Sequence, residues 1–80
     1  MNDEILKILQ NKILEIKKED DKINQIIDEF QNFDSKSFFS GITAGRLFNS
    51  FYYQHRRILK RNPTEEDFQD FVRFLKKELK

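Results

Sequence analysis

The sequence has no cysteine. Disulfide staples are excluded, and with them every metal site built on thiolates. The only histidine, His55, has no second histidine or cysteine to join it around a metal. No apolar run approaches the roughly 18–20 residues of a membrane span. The opening stretch MNDEILKILQNK carries acids where a signal peptide carries positive charge, and Lys7 and Gln10 interrupt its apolar positions. These absences lead to the expectation of a soluble, cytoplasmic chain without metal, cofactor or membrane partner. Only two glycines and one proline punctuate 80 residues. With so few breakers, a few long helices are the natural reading.

Catalytic groupings are missing too. A hydroxyl nucleophile needs a base and an oxyanion site, and no spacing in the chain supplies them. The segment GITAGR, residues 41–46, lacks the Gly-Lys-Ser/Thr ending and the preceding strand of a phosphate loop. The expectation is a protein that is not an enzyme.

What is present is a balance of 38% hydrophobic and 36% charged residues. That is too apolar for a disordered chain. A domain this small buries only about 60% of the surface its unfolded form exposes. The core must be thin, and the nine phenylalanines supply much of its bulk.

The pattern predicts an all-α fold of three antiparallel helices in a single domain. Leu6, Leu9, Ile13, Ile16, Ile23, Ile27 and Phe30 form a heptad-like seam with one vacant place, Asp20. The seam stays in register across KKEDDK, which predicts one long, coiled-coil-like helix over residues 3–32. A break within residues 17–22 is the competing reading. Phe33 extends the stripe. A second long helix is expected over 36–61, with Asp34, Ser35 or Ser37 as its cap. Asn62-Pro63 ends it, because a residue before proline is pushed out of helical geometry. A short helix follows over 65–79. Thr64 is its N-cap, Asp67 stands in for the usual Glu of a capping box, and acids fill its first turn. Its apolar stripe is Phe68, Phe71, Val72, Leu75 and Leu79.

On the middle helix, Ala44, Leu47, Phe48, Phe51, Tyr52, Ile58 and Leu59 share the expected core face, with His55 packed among them. Gly41 and Gly45 lie at its edge, where small residues would let the first helix approach closely. The other face carries Arg46, Tyr53, Arg57 and Lys60 in one line, spaced 7, 4 and 3, flanked by Arg56 and Arg61. Residues 34–62 carry a net charge of +5, against −3 for residues 1–33 and −1 for residues 63–80. Such a line could hold nucleic acid through phosphate contacts and stacking on Tyr53.

The last helix is expected to stop short of Phe38, Phe39 and Ile42. Either the loop folds Phe38 and Phe39 inward as a lid, or another chain covers them, as a homodimer or a docking partner. The sequence therefore leads to a small interaction or dimerisation module, with nucleic-acid binding as the alternative.

Overall fold

The side chain of Asn2 starts the first helix by accepting the Ile5 N–H at 3.1 Å. Asp3 and Glu4 occupy the first turn of α1 (Asp3–Lys18), where the helix dipole favours acids, and Lys17 and Lys18 occupy the last. The structure, a computed structural model, describes residues 1–30 and 34–79. Residues 31–33, including Phe33 and the end expected for the first helix, lie outside it, as does Lys80.

The first segment is not one continuous helix. At Glu19 the backbone leaves the helical region (φ −93°, ψ 14°) and its N–H bonds back to Ile16 O at 3.0 Å. A second helix, α2 (Asp20–Asp28), then begins with Asp20 and Asp21 in its first turn. Lysines ending one helix and aspartates starting the next satisfy both dipoles, whereas aspartate inside a long helix is a poor former. Because the turn costs a single residue, the seam survives it. Leu9, Ile13, Ile16, Ile23 and Ile27 are all buried. The fold remains all-helical among the described residues, with four helices rather than three.

Asp34 caps α3 (Ser35–Gln54), accepting from Lys36 N at 3.2 Å and Ser37 Oγ at 2.7 Å. These bonds hold its carboxyl below the usual range, the Ser37 hydroxyl contributing most. The helix runs on into one wider π turn (His55–Leu59) and stops at Lys60, which is left-handed (φ 59°). The chain thus leaves the helix before Asn62-Pro63. Thr64 and Asp67 form the reciprocal capping box of α4 (Glu65–Glu78), with bonds of 3.1 and 2.9 Å.

The core joins the α1–α2 seam to Leu47 and Phe51 of α3 and to Phe71 and Phe74 of α4. Phe51 and Phe71 stack with ring centroids 4.4 Å apart. Asp70 ties α4 to the start of the chain, accepting from the Met1 ammonium at 2.5 Å and from Arg73. Both cations hold its carboxyl below the usual range, the ammonium first. At its far end α4 brings Glu78 and Leu79 into a groove shared with Phe39 and Lys17. The expectation that the last helix stops short of Phe39 therefore fails. A helix that is antiparallel to α3 and extends to Glu78, with Leu79 as its cap, passes far enough along it.

Candidate interaction surface

Phe38, Phe39 and Ile42 are half-buried and packed against the core. The rings of Phe30 and Phe38 stack at 5.9 Å. The groove beside Phe39 is lined by polar and charged groups including Lys17, Asp20 and Lys36. Among the described residues this end combines half-buried apolar side chains with a cleft of mixed polarity.

The charges of the basic line are partly engaged by neighbours. Arg46 pairs across helices with Glu19 at 3.0 Å, an acid that the turn between α1 and α2 brings to α3. Arg56 lies over the Tyr52 ring at 5.5 Å, and Arg57 donates to Gln54 at 2.8 Å. Arg61 pairs with Asp67 at 3.0 Å. The wider π turn shifts Arg57 off the straight row, and Lys60 sits beyond the helix. Tyr53, 62% exposed, stands on the solvent side.

His55 is fully buried, as its place on the core face implies. Its ring meets Phe51 edge to face at 4.6 Å, and Nδ1 lies 2.8 Å from Phe51 O. A carbonyl only accepts, so Nδ1 carries the proton. Nε2 then makes no hydrogen bond and stands 3.8 Å from Asp67 Oδ2. Asp67 in turn is held to a pKa of about 2, first by the Thr64 backbone N–H and then by Arg61, with His55 adding to the effect. This cluster locks the α3–α4 connection. Among the described residues no group of three or more His, Cys, Asp or Glu side chains could hold a metal ion. No helix there is long and apolar enough to cross a membrane.

The surface that sequence reasoning missed lies between α3 and α4. Ala44, Gly45 and Phe48 form one wall, Phe68, Val72 and Leu75 the other, and Phe71 the floor. The groove holds about 340 Å³, and every residue lining it is apolar or glycine. Phe48, expected in the core, is 41% exposed at its lip, edge-on to Phe68 and Tyr52. The glycines do not draw α1 in. A Cβ at Gly41 or Gly45 would meet no atom within 4 Å outside its own helix and chain neighbours.

The cause is the roll of α4. Its buried residues are Phe71 and Phe74, and Phe74 is not on the stripe read from the sequence. Phe74 turns toward Met1 and Leu6 of the first segment. Rotating α4 that way lifts Phe68, Val72 and Leu75 to half-exposure. A sequence signal existed: α4 carries apolar residues over an arc too wide for one neighbour, and on the adjoining side α3 sets the small residues Ala44 and Gly45 beside Phe48.

Comparison with protein-family models, with curated proteins and with solved structures finds no match to this chain.

Proposed function

We propose that this protein is a small non-enzymatic helical interaction module whose working surface is the α3–α4 groove, and that its partner is an apolar face of a protein helix. One observation carries the reading: an open groove between two helices, lined wholly by apolar residues and glycine, with a phenylalanine left exposed at its lip. Small-molecule sites add a few convergent polar groups for orientation. Here there are none, so the lining favours aliphatic and aromatic side chains laid along it. The open space above Gly45 lets a helix backbone come close. Recognition of this kind reads side chains at helical spacing on the incoming helix. Phe38, Phe39 and Ile42 then serve as the end wall of the module rather than as its main contact.

The test uses a synthetic 18-residue amphipathic helix with leucines at helical spacing as the probe, titrated calorimetrically. Wild type should bind it, and Val72→Glu should abolish the heat while circular dichroism stays helical. Binding that survives Val72→Glu together with Phe48→Ser would contradict the proposal.

A second reading keeps nucleic acid as partner. It is favoured by the exposed ring of Tyr53 with Arg56, Arg57, Lys60 and Arg61 all within eight residues. Arg46 and Arg61 are already paired with acids, which weakens it. Binding that falls steeply with salt would support it.

A further inference from the structure

We infer that the occupant of the groove is a second copy of this chain, docked about a twofold axis close to Gly45 and Val72 with its helices running antiparallel to the first. The inference rests on the groove being the working surface.

Groove and projection lie on the same face. Phe48 stands partly exposed beside the cleft that Ala44, Gly45, Val72 and Leu75 form. A twofold pairs a surface with itself, so it needs a patch that carries both a knob and a hole. Each Phe48 would enter the cleft of the other copy, over the space that the missing Cβ of Gly45 leaves.

Charge sets the direction. Glu65, Val72 and Lys76 are spaced 7 and 4 on α4 and so share one stripe along the groove. Glu65 and Lys76 are exposed, opposite in sign and at opposite ends of the cleft, and neither has an ion-pair partner among the described residues. An antiparallel copy places its Lys76 against Glu65 and its Glu65 against Lys76. A parallel copy sets like against like.

The experiment is sedimentation of the full chain at low salt with reciprocal charge reversal. Wild type should approach twice its 9.8 kDa mass at high micromolar concentration. Glu65→Lys and Lys76→Glu should each weaken the dimer about tenfold, because two symmetric contacts turn repulsive. The double variant should recover most of the loss. Reversing charges at both ends of α4 opposes its dipole, so a second measurement stands beside it. The chain lacks cysteine, and Gln69→Cys, exposed on the same α4 stripe between Glu65 and Lys76 and outside the groove lining, should give a disulfide-linked dimer on mild oxidation, while Lys7→Cys on the exposed side of α1 should not. A monomeric wild type that still binds the leucine probe would overturn the second copy as occupant and leave the groove standing. A dimer that responds identically to the single and double reversals, without the Gln69→Cys cross-link, would overturn the antiparallel arrangement.

Discussion

Gly45 carries two consequences that pull apart. It sits inside a helix at ordinary φ, and a methyl group there meets open space. Alanine should therefore stabilise the fold by about 0.5–1 kcal/mol through helix propensity alone. The same methyl group would hold a docking helix away. Gly45→Ala should raise the denaturant midpoint and weaken binding of the leucine probe, measured on one preparation. Gains in both would remove the functional reason for glycine. Asp67 gives the pH dependence. Its carboxyl is depressed to about 2, so the folded state favours the ionised form. Its contribution is full above about pH 5, falls as pH drops through 3.8 toward 2, and is lost below. With solvent screening it is worth about 1–2 kcal/mol. Urea titrations from pH 7 to pH 2 should show this loss in wild type, and Asp67→Asn should start lower at pH 7 and fall less. The buried edge of His55 beside Asp67 belongs to the same joint and needs no ligand to explain it.

At the scale of the elements, the joint after α3 holds a residue in an unfavourable conformation. Lys60 adopts a left-handed φ that glycine tolerates without a Cβ clash. Lys60→Gly should stabilise by about 0.5–1 kcal/mol, read as a higher midpoint in chemical unfolding; a loss of stability would mean that the lysine stem packs where the backbone alone does not suggest it. The cap of α4 was legible in the sequence because Thr64 and Asp67 act over three residues, and local chemistry of that range is written in the order of the chain. The seam was legible from Leu9 to Ile27 for the same reason. At its ends it was not: Ile5 is buried rather than Leu6, and Phe30 is 47% exposed. The turn at Glu19 was readable in Lys17-Lys18 followed by Asp20-Asp21, but the unbroken apolar register argued more strongly for continuity. The roll of α4 toward Phe74 was not readable. It depends on how three helices share their wide apolar arcs, and the α4 pattern alone permits either rotation.

For the molecule as a whole, three surfaces compete for a partner: the end around Phe38 and Phe39, the basic side around Tyr53, and the groove along Gly45 and Val72. The first is built partly into the core, and two of the arginines of the second are held by acids. The groove alone is both open and uniformly apolar. Its position follows from the packing above it: Phe74 anchors α4 against the first segment, and what that anchoring leaves uncovered is the α3–α4 seam. Backbone amide spectra of the labelled chain, recorded with and without the leucine helix, separate the three surfaces in one measurement. The largest shifts are expected at Ala44, Gly45, Val72 and Leu75, with the amides of Tyr53, Arg57 and Lys60 unmoved. Shifts confined to Phe38–Ser40 or to Tyr53–Arg61, with Gly45 and Val72 unchanged, would contradict it.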